Sequence, residues 1–380
     1  MKKLIVPITS LMLGLPTLSY ADSNYFSVED DNFKRFSISA GWLHGSPHGK
    51  PNPVQMSTAA TGTNYKNNNI KTNTIPNYIA KTKEGDVARQ RYKKLIDETK
   101  QPNAFYTFPN NVLTSDISGI TQINSLENWT NPNSGFKAKD FDALGVMLNY
   151  HLTENISVAL RLNSPSQVKL EGVGQINMPI EGFSLLQGKS KNPRNAFFVN
   201  SDINAVRSMP LNGRIPVSNL EKHQTAANMR AWLPAIEMQY QFGKAGVNKF
   251  RPYVGAGIML SHFSGVKLDK GVEKDFIKVG HVVKNLMDQK AGAALEGATS
   301  SADPRVSMDT NSKLAPMLTL GATYDFDQNW FAVASVSYAK FNNTAEITIR
   351  DEKTFKVLGT AKTKIKMDPF MTYVGVGYRF

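Results

Sequence analysis

Eight stretches of the chain alternate apolar and polar residues with a period of two, which marks strands whose two faces meet different surroundings. The first sets Phe36, Ile38, Ala40 and Trp42 against Ser37, Ser39 and Gly41. The second carries Leu144, Val146, Leu148 and Tyr150 on one face. The third sets Ile156, Val158, Leu160 and Leu162 against Ser157, Ala159, Arg161 and Asn163. A fourth runs over 232–242, with Pro234, Ile236, Met238 and Tyr240 opposed by Glu237, Gln239 and Gln241. The fifth (250–263) alternates Val254, Ala256, Ile258 and Leu260 with Tyr253, Gly255, Gly257 and Met259. The sixth (314–326) alternates Leu318, Leu320, Ala322 and Tyr324 with Met317, Thr319, Gly321 and Thr323. The seventh (330–338) puts Ala332, Ala334 and Val336 on one face. The eighth, 369–380, sets Phe370, Thr372, Val374, Val376, Tyr378 and Phe380 against Met371, Tyr373, Gly375, Gly377 and Arg379.

Their connections alternate in length. Short links lie at 153–155, 243–249 and 327–329, and long ones at 44–141, 164–229, 264–312 and 340–366. Short turns on one side, long loops on the other and an even strand number predict an all-β fold. The expected form is an eight-stranded antiparallel transmembrane up-and-down β-barrel whose long external loops contain short helices. Aromatic residues gather at both strand ends: Tyr150, Tyr240, Phe242, Phe250, Tyr324, Phe326, Trp330, Tyr378 and Phe380 at the short-turn side, and Trp42, Trp232, Phe263, Tyr338 and Phe370 opposite. Two such girdles fit two membrane interfaces. Within the loops, 84–100 and 272–286 read as helices, the second with an apolar stripe of Val272, Phe276, Val279 and Val283 expected to pack on the barrel rim. The Asn-, Thr-, Pro- and Gly-rich 44–80 is expected to be mobile. Ala345–Ile349 and Phe355–Leu358 either add a hairpin, giving ten strands, or extend strands seven and eight above the membrane.

Composition sharpens this picture at three points. Lys2 and Lys3 precede an apolar run to Leu18 and a small-residue site ending at Ala21, so residues 1–21 are expected to be a cleaved signal peptide and 22–380 the mature barrel. With no cysteine there is no disulfide framework or thiolate chemistry, and the six histidines show no metal-ligand spacing, so no cofactor or metal is expected. The formal net charge of +13 in an exported chain points to anionic membrane lipid or polyanionic saccharide rather than nucleic acid. The long loops carry net charges of +5, +3, 0 and +4 in chain order. That sign would suit contact with lipopolysaccharide phosphates, or would be incidental to a solvated surface.

Several segments resemble the OmpW family of eight-stranded outer-membrane barrels. They are Leu233-Pro-Ala-Ile-Glu-Met-Gln-Tyr240, Lys249-Phe-Arg-Pro-Tyr-Val-Gly-Ala-Gly257, Asp327-Gln-Asn-Trp-Phe331, and Asp368-Pro-Phe with Gly375-Val-Gly-Tyr-Arg-Phe380. The resemblance covers strands and short turns, about a third of the mature chain, and leaves out the loops, of which the 98-residue 44–141 is the largest departure. It implies a Gram-negative outer-membrane location and passage of small hydrophobic compounds. It also implies that Tyr378 and Phe380 form the signal read by the barrel-assembly machinery.

The inward faces hold the candidate chemistry. Arg161 and Glu237 fall on neighbouring strands and are expected to pair, more as a structural ion pair than as a gate. Gln239, Tyr253 and Tyr373 complete the polar lining. Met259, Met317 and Met371 lie toward the external end, where thioethers suit either a mouth adapting to apolar cargo or simple gap-filling. Eight strands leave room for side chains or one small ligand. The expected function is therefore a narrow conduit for small hydrophobic molecules, acting as a monomer. Pro234 and Pro316 would mark bulges that loosen the wall for a sideways exit. A surface adhesin or receptor working through the basic loops is the alternative. A lipid A hydrolase is the remote one, resting on His262-Phe-Ser264, which has no partner carboxylate; no catalytic residue and no enzyme activity is expected.

Overall fold

The computed structural model describes residues 33–102, 104, 107–187, 201, 203–206 and 208–380; segment 1–21, expected to be a signal peptide, lies outside them. All eight alternating stretches are strands: β1 (Phe36–Pro47), β2 (Phe141–His151), β3 (Ile156–Asn163), β4 (Ala235–Gln241), β5 (Phe250–Leu268), β6 (Lys313–Asp325), β7 (Trp330–Ala339) and β8 (Pro369–Arg379). Each pairs antiparallel with its neighbour in sequence, and β8 pairs with β1 from Ser37↔Arg379 to Pro47↔Pro369, so the sheet closes on itself without an edge. Closure gives each strand a hydrogen-bonded neighbour on both sides, which is what a lipid environment demands.

The alternation holds face by face. Leu144, Met238, Ile258, Leu318, Leu320, Val336, Val374 and Val376 are exposed on the outer surface, while the residues between them are buried. An apolar belt that water would oppose is what hydrocarbon accepts. The lower aromatic ring interlocks edge to face, with Tyr240 on Phe242, Tyr324 on Phe326 and Trp330 on Tyr378. Trp42, Tyr338 and Phe370 form the outer ring. Phe263 does not join them: its odd position in β5 turns it inward, where it is 4% exposed and packs beside Phe341.

The short turns are fixed by side chains that mimic backbone partners. Asp327 accepts the amide protons of Asn329 and Trp330 at 2.7 Å each, and Asn155 Nδ2 donates to the carbonyls of Gln241 and Gly243 at 2.7 and 2.8 Å.

The long connections form a cap. One five-stranded sheet joins Pro304–Thr310, Asn342–Asp351, Val357–Lys366, Val54–Thr58 and Asn128–Asn131. A four-stranded sheet joins Ser208–Asn219, Gln175–Leu185, Ile120–Asn124 and Asn64–Lys66. The upper half of β5 also carries a flap of Ala227–Trp232, Ser166–Val173 and Gly135–Ala138. The hairpin Asn342–Asp351/Val357–Lys366 continues β7 and β8 outward rather than widening the barrel, so the count is eight. At its tip Asp351 accepts from the Thr354 hydroxyl and from the amides of Asp303 and Lys353, contacts that hold its carboxyl below the usual carboxylate range.

Helix α1 (Lys83–Glu98) starts on Thr82, whose hydroxyl accepts from Gly85 N, and buries Ala88, Tyr92, Leu95 and Ile96. Helix α2 (Lys270–Met287) starts on Asp269 and buries the expected stripe of Val272, Phe276, Val279 and Val283. It packs inside the cap against Ser208–Asn219 and Pro304–Thr310, not on the barrel rim. Segment 44–80 is ordered: Val54, Met56, Tyr65, Ile70 and Ile75 are buried in the cap core. Its polar composition concealed well-spaced apolar anchors, whose partners lie far away in sequence.

Candidate functional site: the barrel lumen

Closing eight strands turns the inward faces onto a narrow axis, and the small residues there make room for the large ones. A Cβ on Gly321 would come 2.5 Å from the Tyr253 ring, and one on Gly145 would come 2.9 Å from that of Tyr373. Each ring thus lies over a glycine on another strand, Tyr253 over its direct ladder partner Gly321. At mid-height Arg161 and Glu237 meet, Nε to Oε1 at 2.8 Å, with side chains 13% and 0% exposed. Glu237 Oε1 also accepts from Gln239 Nε2 at 2.6 Å, and Oε2 from the Thr319 hydroxyl at 2.6 Å. Arg161 donates further to Tyr253 OH and Ser335 Oγ, each at 3.3 Å. Thr319 shares a hydrogen bond with Ser337, and Tyr373 with Ser39. A buried carboxylate and guanidinium are tolerable only when paired and saturated in this way.

This network is a plug. Packed against it, Met147, Ala159, Phe331 and Val333 form one apolar cluster with the rings of Tyr253 and Tyr373. Above it a cavity of about 30 Å³ is lined by Leu43, Met147, Met259, Met317, Met371 and Tyr373. A second, of about 10 Å³, lies under the plug beside Asn149, His151 and Gln241. Volumes of this size hold water and no solute, so the lumen is filled along its axis.

All eight lumen residues singled out from the sequence face inward, and the network brings Arg161, Glu237, Gln239 and Tyr253 together; Tyr373 bonds Ser39 separately. The three methionines gather around the upper cavity at 2%, 1% and 4% exposure. Of the hydroxyls around the pair, Thr319 is on the face the sequence pattern assigns inward, whereas Ser335 and Ser337 are not singled out by it. Their alternation with Leu318, Leu320 and Val336 was the available signal.

The upper cavity also touches the wall. Pro234 lies in a true interruption between Trp232 and Ala235, where the β3–β4 ladder stops at Arg161↔Ala235. Asn163 spans the gap with its side chain: Oδ1 accepts from Leu233 N at 2.7 Å and Nδ2 donates to Ala231 O at 3.3 Å. Leu162, Asn163 and Leu233 line both this gap and the cavity. Pro316 marks no bulge. It pairs with Ile258 in unbroken register, so a strand irregularity accompanies Pro234 and none accompanies Pro316.

His262 and Ser264 do not form a couple. His262 Nδ1 lies 2.9 Å from Ser312 Oγ, and Ser264 is exposed and paired across to Arg230. At the lower end Phe380 is exposed, donates its amide to Phe36 O at 2.8 Å, and leans on Tyr378 and Phe36.

Closed register, apolar belt, double aromatic ring and filled lumen together define an eight-stranded outer-membrane β-barrel with a folded external cap. Its likeness is to the OmpW type. Outer membrane protein W of Vibrio cholerae is 28% identical over 148 residues, 39% of this chain and 51% of that protein, so the chain spans about half the length of the curated relative it matches. No family model matches. Among solved structures, OprG from Pseudomonas aeruginosa aligns over 91% of this chain and 96% of its own at 13% identity and a TM-score of 0.43. AlkL, solved in lipid bilayers, aligns over 93% and 95% at 13% identity with a TM-score of 0.37. Outer membrane protein W of E. coli aligns over 92% and 100% at 14% identity with a TM-score of 0.32. The eight-strand closure stands on its own hydrogen-bonded register rather than on these superpositions.

Proposed function

We propose that the protein is a monomeric conduit for small hydrophobic molecules, entered from the external side and left through the wall. The observation that carries this reading is the methionine-lined cavity lying directly against the ladder break at Pro234. The polar plug beneath it opposes passage of an apolar solute down the axis, since displacing the solute's path through Arg161 and Glu237 would unpair buried charge. Thioethers lining the cavity adapt to varied apolar shapes, and the break is where the β3 side of the wall is held by the Asn163 side chain in place of ladder bonds, while Leu260 N still donates to Pro234 O at 2.8 Å on the β5 side.

Proteoliposomes loaded with the protein are expected to take up small hydrophobic solutes and to exclude large hydrophilic sugars. Leu233→Trp, which fills the gap, is expected to lower hydrophobic uptake about tenfold with the barrel intact. Uptake unchanged by that substitution would sink the sideways route, and free passage of large sugars would sink the narrow conduit.

Exposed Lys313, Lys340 and Lys366, just above the outer aromatic ring, support contact with lipopolysaccharide phosphates in the surrounding leaflet. The resemblance at 375–380 supports recognition of Tyr378 and Phe380 by the barrel-assembly machinery. Deleting Phe380 removes a single backbone bond to Phe36, so refolding in vesicles is expected to survive while insertion in cells falls. Equal loss in both assays would make Phe380 merely structural.

A further inference from the structure

The cap contains a cleft of about 700 Å³, far larger than anything in the lumen and within the range of ligand sites. One wall is the outer face of the strand pair Gln175–Leu185/Ser208–Asn219, where Pro179 lies across from Arg214 and Glu181 across from Asn212. The other is Asn128–Asn131, the edge strand of the five-stranded sheet, with the turn that follows it.

Trp129 holds these walls together and is held by them. Its indole N–H donates to Asn177 O at 2.7 Å, which fixes the ring, and the ring remains half-buried at the cleft. Asn131 accepts from Asn177 N at 3.0 Å through Oδ1, yet its Nδ2 has no partner, although the residue is only 8% exposed. A buried amide donor left open normally costs stability. Glu181 and Arg214 are both exposed in the cleft, and neither takes part in an ion pair among the described residues. The cleft therefore offers an aromatic face, an amide donor of Asn131 with no internal partner, and the Glu181 carboxylate and Arg214 guanidinium outside any ion pair, beside Glu221, whose Oε1 accepts from Gly174 N at 2.9 Å.

We propose that this cleft binds a short neutral or zwitterionic oligosaccharide. A pyranose has one apolar face, which stacks on an indole, and a rim of hydroxyls, which planar amide, carboxylate and guanidinium groups can bond in pairs. The mixed charge tells against a polyanion: Glu181 and Glu221 line the same cleft as Arg214, and a sulfated or phosphorylated chain would need uncompensated cations. The site is separate from the lumen, so it stands or falls without the conduit, and it rests only on the cap facing outward from the membrane.

The test uses the full chain folded in lipid nanodiscs. It is presented to an array of neutral, zwitterionic and sulfated oligosaccharides and to the O-chain saccharide released from its own outer membrane, and hits are titrated by calorimetry. At least one neutral or zwitterionic glycan is expected to bind. Trp129→Ala, Arg214→Ala and Glu181→Gln are each expected to weaken it about tenfold. The last two lie on exposed positions and are expected to leave cap protease resistance and hydrophobic uptake unchanged. Binding of the released O-chain would place the ligand on the same cell, and binding of other glycans on a second surface; both support the site. Absence of binding, binding of sulfated glycans alone, or full affinity in Arg214→Ala and Glu181→Gln overturns it.

Discussion

Arg161→Ala is expected to destabilise the barrel by about 3–5 kcal/mol, because it leaves Glu237 charged and fully buried at mid-lumen. Nothing nearby can replace the guanidinium. Glu237 would keep bonds from Gln239 and Thr319, but those neutral donors offset only part of the cost of burying the charge. The expected reading is a lower urea midpoint for the protein in lipid vesicles. The paired change Arg161→Met with Glu237→Leu removes both charges and is expected to recover most of the loss. If the double variant is as unstable as the single one, the pair is not the mid-lumen clamp described here. Hydrophobic uptake adds a second readout: a sideways route leaves it in place in the double variant, whereas a route down the axis would raise it.

Phe276→Ala is expected to cost about 3–5 kcal/mol, as large truncations in packed cores do. Here the loss should be confined to the cap. Phe276 is fully buried on α2 within the cap core, whereas the lower barrel has its own cluster around Tyr253 and Phe331. Limited proteolysis should cut the cap of the variant faster, while the difference in gel mobility between heated and unheated protein, which reports the barrel, is retained. Parallel loss of both signals would mean that cap and barrel unfold as one unit. The same logic bears on loop deletion as a tool. Removing 50–135 would take Val54–Thr58 and Asn128–Asn131 out of the five-stranded sheet and expose its core, so point substitutions are the cleaner probes.

The barrel was legible because lipid outside and a narrow lumen inside impose a strict alternation that survives strand by strand. Even the Arg161–Glu237 pair could be placed, since up-and-down closure fixes which strands are neighbours. Phe263 was misplaced by following its ring rather than its parity in β5. The cap was opaque for a different reason. Its strands are short, and their partners lie far off: Gln55 pairs with Lys362, and Trp129 is joined across to Met56. Local pattern in 44–80 therefore showed only polar residues with scattered apolar ones. The cleft at Trp129 was equally hidden, being assembled from two loops whose proximity no spacing announces. In the lumen, alternation places Thr319 on the inward face, but its bond to Glu237 and the roles of Ser335 and Ser337 depend on side-chain reach across strands, which spacing does not give.

The pairing of Val54–Thr58 with Val357–Lys366 also sets an order of events. The two strands stand about three hundred residues apart, in the first and last of the long connections, and contacts so distant in sequence form slowly. Closing β8 onto β1, which joins Ser37 to Arg379, brings the first and last external loops side by side, and the five-stranded sheet is expected to form after that step. On that order a newly inserted molecule is expected to pass through an interval with a sealed wall and an unfolded crown. During that interval the strand Val357–Lys366 lacks the partner Val54–Thr58 and could pair with a neighbouring molecule instead.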